Sequence, residues 1–426
     1  MEENSVLIQR AILVGMFQGL RDEFSVEESM NELAELTLAA EAEVAGMIIQ
    51  NKAKIEVATY IGTGKVDEVR LAVEANDANI VIFNDELSGA QMRNLEALIG
   101  VTVIDRTALI LDIFAIRAQT KIAKLQVELA QLKYRLPRLI GMNGNLSRTG
   151  GGIGTRGPGE QKLELDRRRI QERIDEIRRQ IAEADKNRII QRKLREKNDV
   201  PVVALVGYTN AGKSSVMNCM IGLSKEPDLE RQVFEKDMLF ATLDTYNRRI
   251  VLEDKKAFIL TDTVGFVSKL PHTLVSAFKA TLEEALSADL LLHVVDASNP
   301  NYLMQMEVTH RVLKELKADH IPMMTLFNKI DLGHSVVAGD TESLLISAKT
   351  KENIDVLMEA IKSKLFDDHI LANFLVPYTD GRTASYLCET YQVKSLEYLE
   401  NGTAITAEVS IADYNRYSYY LKLDEA

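Results

Sequence analysis

Apolar residues recur along this chain in two rhythms, and each change of rhythm marks a boundary. Over residues 5–104, short apolar runs alternate with helical spacing. Ala11–Phe17 and Asn79–Phe83 read as strands, and Val26–Glu43 and Ser88–Leu98 as helices. The second helix opens with Ser88 and Gln91 at capping-box spacing. Such alternation predicts a small α/β unit with a largely parallel sheet. Thr107–Leu136 then runs thirty residues without Gly or Pro at helical periodicity, and Pro137 is expected to end it. Residues 141–159 form a loop with eight glycines. Glu160–Lys197 is a second long helical stretch, dense in Arg and Glu three and four residues apart. Two long helices around one loop predict an antiparallel hairpin with a Gly-rich tip.

After a junction at Asn198–Pro201 the alternation returns. Val202–Val206, Ile250–Leu252, Ala257–Thr261, Leu290–Val295, Met323–Phe327 and Ser343–Ile346 read as strands. The tail, rich in tyrosine, fits β-α-β-β-α. The fold class expected is α/β and multidomain. An N-terminal α/β domain (1–105) is followed by a basic helical hairpin (106–198, tip 141–159). A doubly wound P-loop domain (199–366) and a small α+β C-terminal domain (367–426) complete it.

Charge sharpens the division. The chain carries a net −12, which argues against a general polyanion binder. Residues 117–197 nevertheless hold 21 Lys/Arg against 10 Asp/Glu, a net +11 inside an acidic protein. No acidic residue lies between Glu128 and Glu160, whereas Lys133, Arg135, Arg138, Arg148 and Arg156 do. A glycine-rich loop with arginines can approach RNA closely and order on binding, so Arg138, Arg148 and Arg156 are candidate RNA contacts. The competing reading is a solvated hairpin with a linker at its tip. The Arg167–Arg169 run is ambiguous, because Glu164, Asp166 and Glu172 can neutralise it. Only Cys219 and Cys388 are present, which excludes a disulfide framework. There is no signal-peptide pattern, and no apolar run reaches membrane-spanning length. A cytoplasmic location is expected, with peripheral membrane association left open.

The chemistry is concentrated after Val202–Val206. Gly207-Tyr208-Thr209-Asn210-Ala211-Gly212-Lys213-Ser214, with Ser215, matches the P-loop spacing between a strand and a helix. Its backbone N–H groups can cradle phosphates, Lys213 supplies a compact cation, and Ser214 can place a hydroxyl on Mg²⁺. Asp262-Thr263-Val264-Gly265 follows the next strand: Asp262 can hold Mg²⁺ through water, and the Gly265 N–H can reach the γ-phosphate. Asn328, Lys329 and Asp331 choose the base, since a carboxylate there pairs with guanine donors that adenine lacks. Ser347-Ala348-Lys349 can offer a backbone N–H to the guanine oxygen. Together these point to GTP and GDP. Thr242 is the expected switch residue on Mg²⁺, with Thr245 as the alternative. Lys213, Thr242 and Gly265 are the candidate catalytic groups.

Three further features bear on mechanism. Phe266 stands where many small GTPases carry a glutamine that orients water, so slow unaided hydrolysis and acceleration by a partner are expected. Asn210 resembles the asparagine that helps bind K⁺ in some cation-activated GTPases, and it can equally shape the loop by a local hydrogen bond. Gly62-Thr63-Gly64-Lys65 reads as a tight turn before a helix rather than a second phosphate site.

The motif order with Phe266 resembles the translation-factor-related GTPases, and flanking residues narrow this. Asp262–Phe278 (DTVGFVSKLPHTLVSAF), Thr281–Glu284 and Ala288–Ser298 are similar to the HflX GTPase family, as are Tyr60–Lys65, Asn84–Leu87, Lys124–Leu132 and Gly150–Glu160. The similarity spans roughly residues 5–366. It implies a monomeric factor on the large ribosomal subunit, with the hairpin reaching toward the peptidyl-transferase centre. Members split ribosomes stalled under stress, and some protect against antibiotics acting there. Two departures, Gln161-Lys162-Leu163-Glu164 and Thr245-Tyr246, suggest a divergent branch. The alternatives are an assembly or ATP-dependent RNA-remodelling factor and a ribosome-binding switch that barely turns over.

Overall fold

A computed structural model describes residues 9–19, 25–139, 158–196, 200–224, 246–269, 287–333, 336 and 343–421. The first unit is a four-stranded, wholly parallel sheet: β1 (Arg10–Phe17), β2 (Glu43–Asn51), β3 (Ile80–Phe83) and β4 (Thr102–Asp105), in the order β2-β1-β3-β4. Helices α1 (Val26–Ala39), α2 (Thr63–Ala75), α3 (Gly89–Ile99) and α4 (Arg106–Arg117) cover it. Ser88 accepts from the Gln91 N–H, and Gln91 closes the expected capping box on α3. Two apolar layers result, with Leu13, Met30, Leu33 and Phe114 on one face of the sheet and Ile12, Val69, Phe83 and Leu95 on the other.

The predicted helix Val26–Glu43 stops at Ala39, and β2 follows, because Glu41 takes a left-handed conformation (φ 63°) that ends the helix. Gly62 precedes α2 as a turn residue, its N–H donating to Gln50 Oε1 at 2.9 Å.

The predicted Thr107–Leu136 helix is two helices. Ala118 turns extended after α4, and Thr120 caps α5 (Lys121–Arg138) by accepting from the Ala123 N–H. A glycine-free run hid the break, because a threonine cap supplies the stop. Pro137 sits inside α5, which runs one residue beyond it. Helix α4 belongs with the first sheet, contributing Leu109, Ile110, Ile113 and Phe114 to its core. The hairpin is therefore α5 with α6 (Pro158–Glu196), packed through Leu125, Leu129, Ile174 and Ile177 and tied by Arg173 to Glu128 at 2.8 Å. The glycine-rich tip 141–157, with Arg148 and Arg156, lies outside the described residues.

The third unit is a six-stranded doubly wound sheet. It holds β5 (Val202–Val206), β6 (Tyr246–Val251), β7 (Ala257–Asp262), β8 (Leu290–Asp296), β9 (Met323–Asn328) and β10 (Ser343–Leu345), in the order β10-β9-β8-β5-β7-β6. Only β6 runs antiparallel, paired with β7. Helices α7 (Lys213–Leu223), α8 (Tyr302–Glu315) and α9 (Ile354–Leu365) flank it. The apolar run in β8 is buried along its length, as a central parallel strand requires. The tail follows the expected order: β11 (His369–Val376), α10 (Gly381–Thr390), β12 (Val393–Leu399), β13 (Gly402–Ser410) and α11 (Ile411–Arg416), with its sheet ordered β11-β13-β12.

Candidate nucleotide site

In an open α/β sheet, ligands meet the carboxyl ends of the strands where the winding reverses. Here that place lies between β5 and its neighbours β7 and β8. Gly207–Ser214 leaves β5, Asp262–Gly265 leaves β7, and Asn328 ends β9. Gly212, at φ +93°, opens α7, and a β-carbon there would lie 2.3 Å from Asn328 Nδ2. Only glycine allows that approach. The free N–H groups of the first turn of α7 are thereby presented beside Lys213.

Lys213 is buried, and its ammonium donates to the carbonyls of Gly207 (3.1 Å) and Tyr208 (2.8 Å). Burial pushes its pKa down to about 8, with Asp262 acting weakly the other way. Ser214 Oγ donates to Asp262 Oδ2 at 2.7 Å. A hydroxyl and a carboxylate in contact are hard oxygen donors of the kind Mg²⁺ prefers. Thr263 Oγ1 donates to the Leu205 carbonyl at 2.6 Å and holds the segment down on β5. Thr242 and Thr245 lie outside the described residues.

The base-side motifs converge as the sequence predicts. Asn328 is buried, donates through Nδ2 to the Ala211 carbonyl (2.9 Å) and accepts from the Ala348 N–H (3.0 Å). One side chain thus ties the P-loop to the Ser347–Lys349 loop. Ser347 Oγ donates to Asp331 Oδ1 at 2.7 Å and orients that carboxylate. A carboxylate that chooses guanine by the cost of staying unpaired is expected to be buried. Asp331 is instead exposed, within a short 3₁₀ turn, and Ser347 fixes its orientation. Lys329 takes a left-handed conformation (φ 66°) and pairs with Asp296 at 2.8 Å. Asn210 also lies in the left-handed region (φ 59°) and is exposed.

The 50% identity of a full-length relative decides the family. The GTPase HflX of Caldanaerobacter subterraneus aligns over 410 residues, 96% of this chain and 93% of that protein. This chain belongs to the HflX GTPase family. The Escherichia coli HflX is 39% identical over 96% of this chain and 95% of its own. Family models described as GTP-binding GTPase N-terminal, GTP-binding GTPase Middle Region and 50S ribosome-binding GTPase match residues 27–115, 117–195 and 202–329. A solved GTP-binding protein of Sulfolobus solfataricus in complex with GDP aligns at 23% identity over 84% of this chain and 99% of that one, with a TM-score of 0.44. As an HflX-type GTPase, the chain binds GTP and hydrolyses it.

Other features of the site are not legible in its motifs. Cys219, six residues after Lys213 on α7, donates its thiol to the Ala348 carbonyl at 2.8 Å. Ala348 is thus held at both ends of its backbone. His293 on β8 is buried, its ring 5.3 Å from that of His310. Burial, His310 and Lys213 push its pKa down to about 3, so it is neutral.

The largest surprise is a second polar cluster. Glu32 on α1 accepts from Arg106, from the Tyr208 hydroxyl and from the Ser268 hydroxyl. Ser268 also donates its N–H to the Tyr208 hydroxyl at 2.6 Å, and Arg106 donates to Ser268 Oγ at 2.9 Å and Asn84 Oδ1 at 2.9 Å. Burial pushes the Glu32 carboxyl up, but Arg106, Ser268 and Tyr208 outweigh it and hold it below the usual carboxylate range. Burial and Glu32 push the Tyr208 hydroxyl well above its ordinary value. Lys269 pairs with Asp85 at 2.6 Å.

Asn84 and Arg106 stand at the carboxyl ends of β3 and β4, the end of a parallel sheet where ligands ordinarily sit. Here the segment after Gly265 occupies that end, with Ser268 against Arg106 and Lys269 against Asp85. Val264 and Val267 pack into the N-terminal core, while Phe266 packs with Tyr208 in the nucleotide domain.

Arg138 is not a free RNA contact. It donates to Glu86 (2.8 Å), the Leu87 carbonyl (3.0 Å) and Asp105 (3.2 Å), and stacks over Tyr134. Its guanidinium is spent on fastening α5 to the N-terminal sheet. Arg148 and Arg156 lie outside the described residues.

Proposed function

We propose that this GTPase binds the large ribosomal subunit through its basic hairpin and, when GTP-bound, dissociates or rescues stalled ribosomes under stress. One observation carries the reading: Val264 and Val267 lie in one domain's core and Phe266 in the other's. A segment shared in this way cannot respond to a γ-phosphate without disturbing the N-terminal sheet, and α5 is fastened to that sheet through Arg138 and Tyr134. Nucleotide state would then set the hairpin's position, a two-state element biased from one site. The positive charge of 117–197 supports an RNA contact, and a family description that reads 50S ribosome-binding GTPase supports the large ribosomal subunit as its source.

Mg²⁺ would be held by Ser214, by Thr242 and, through water, by Asp262, and it would neutralise charge on the transferring phosphoryl group. Lys213 and the N–H of Gly265 would meet the γ-phosphate, and Asp331 the guanine. The protein would act as a monomer in the cytoplasm. Among the described residues no helix is long and apolar enough to cross a membrane. Sucrose-gradient profiles with GTP and with a non-hydrolysable analogue test the proposal. Loss of intact ribosomes with either nucleotide is expected, and deletion of 150–159 should abolish it while sparing GTP binding. Unchanged profiles, or an active loop deletion, would sink it.

A further inference from the structure

Phe266 is 2% exposed in the nucleotide domain's core, so it cannot hold a water. The P-loop places another side chain beside that position. Thr209 is 5% exposed. Its N–H donates to the Phe266 carbonyl at 2.7 Å, and the Phe266 N–H returns to the Gly207 carbonyl at 3.1 Å. These bonds fix Thr209 against the segment carrying Gly265.

The approach is close. A β-carbon on Gly265 would lie 2.7 Å from Thr209 Cγ2, 2.8 Å from Thr209 Cα and 3.0 Å from Lys213 Nζ. Thr209, the Gly265 backbone and the Lys213 ammonium therefore meet at one place, where the last two are the groups suited to a γ-phosphate. The Thr209 atom nearest Gly265 is the methyl. The hydroxyl on the same Cβ is buried with no hydrogen-bond partner among the described residues, and a turn about χ1 brings it to the methyl's place. Burying a hydroxyl without a partner destabilises a fold, and such a group calls for an explanation. Valine would fill the same space without that cost.

We propose that the Thr209 hydroxyl positions the water that attacks the γ-phosphorus of GTP, a task Phe266 cannot perform. The inference rests on the GTPase reading of the same site. In the step, a lone pair of the water forms the bond to phosphorus. The bond to the β,γ-bridging oxygen breaks and its electron pair leaves with GDP. A water proton passes to the departing inorganic phosphate. Thr209 accepts a hydrogen bond from the water, donates its own hydrogen to a γ-phosphate oxygen, and emerges unchanged.

The test compares Thr209→Val, Thr209→Ala and Thr209→Ser in the full-length protein. GTP turnover is measured with and without large ribosomal subunits, beside GDP affinity and Tm. Val and Ala should lower kcat about 100-fold, the scale of a misplaced reactant. Their GDP affinity should stay within about threefold of the parent, because GDP has no γ-phosphate to meet the hydroxyl. Val should hold or raise Tm, and Ser should restore most of kcat. Parent-like turnover in Val and Ala would overturn the assignment. So would a loss of GDP affinity matching the loss of rate, or failure of Ser to rescue. Absence of turnover in the parent itself under every condition would overturn the reading beneath it as well, which separates the two failures.

Discussion

The cradle around Lys213 and the cluster around Glu32 share the segment from Asp262 to Lys269, and they treat charge in opposite ways. Lys213 is buried against backbone carbonyls and one carboxylate, and its charge is disfavoured there. Such a site is complete only with an anion. In the Glu32 cluster the carboxylate and the Arg106 guanidinium answer each other, and hydroxyls and Asn84 fill further positions. Such a site is complete without a ligand, and its job is to hold two domains together. The difference teaches how a binding site and a joint can be told apart. The first leaves charge uncompensated until the ligand arrives, and the second compensates it within the chain.

The comparison predicts opposite outcomes for matched substitutions. Lys213→Ala should weaken GDP binding on the order of 100-fold, the value of charge-assisted contacts to phosphate, and leave Tm unchanged or higher. Titration with a fluorescent GDP analogue and a melt would show both. Glu32→Ala should do the reverse. Leaving Arg106 buried without its partner costs about 3–5 kcal/mol of stability. GDP affinity should stay within about threefold, since no phosphate contact is lost. A Glu32→Ala protein that melts like its parent would mean the cluster is not a joint.

Titration sharpens the same contrast. The Glu32 carboxyl is held below its ordinary value of 4.5. Its contribution is therefore present above that pH and is lost as pH falls through the folded-state value, which acid melts would reveal. Lys213 is lowered to about 8 in the free protein, and bound phosphate raises it again. GDP binding should take up a proton above pH 8, and affinity should fall as pH rises from there. The smallest effect belongs to Lys269→Ala. Its pair with Asp85 is partly exposed, so the loss should be about 1 kcal/mol or less.

The same contrast explains what was legible in the sequence. The cradle is local: each motif lies within a few residues of a strand end, so spacing alone named Lys213, Ser214, Asp262, Asn328 and Asp331. Their convergence through Ala211, Asn328 and Ala348 followed. The joint is non-local. Glu32, Arg106, Tyr208 and Ser268 come from four parts of the chain, with Glu32 and Ser268 236 positions apart. In sequence each is an ordinary polar residue on a helix or loop. Arg138 shows the converse error: a basic residue beside a glycine loop looks free until the fold brings Glu86 and Asp105 to it. The break between α4 and α5 is invisible in the sequence because helical spacing runs on both sides of the Thr120 cap. The tail's β-α-β-β-α order was legible because its strands and helices are short and sharply bounded.

Amide hydrogen exchange with GDP and with a non-hydrolysable GTP analogue tests the shared segment most directly. The account predicts that the γ-phosphate changes protection in Val264–Lys269 and, beyond it, in α1 around Glu32 and at the start of α4. Changes confined to the nucleotide domain, with α1 and α4 identical in both states, would contradict it.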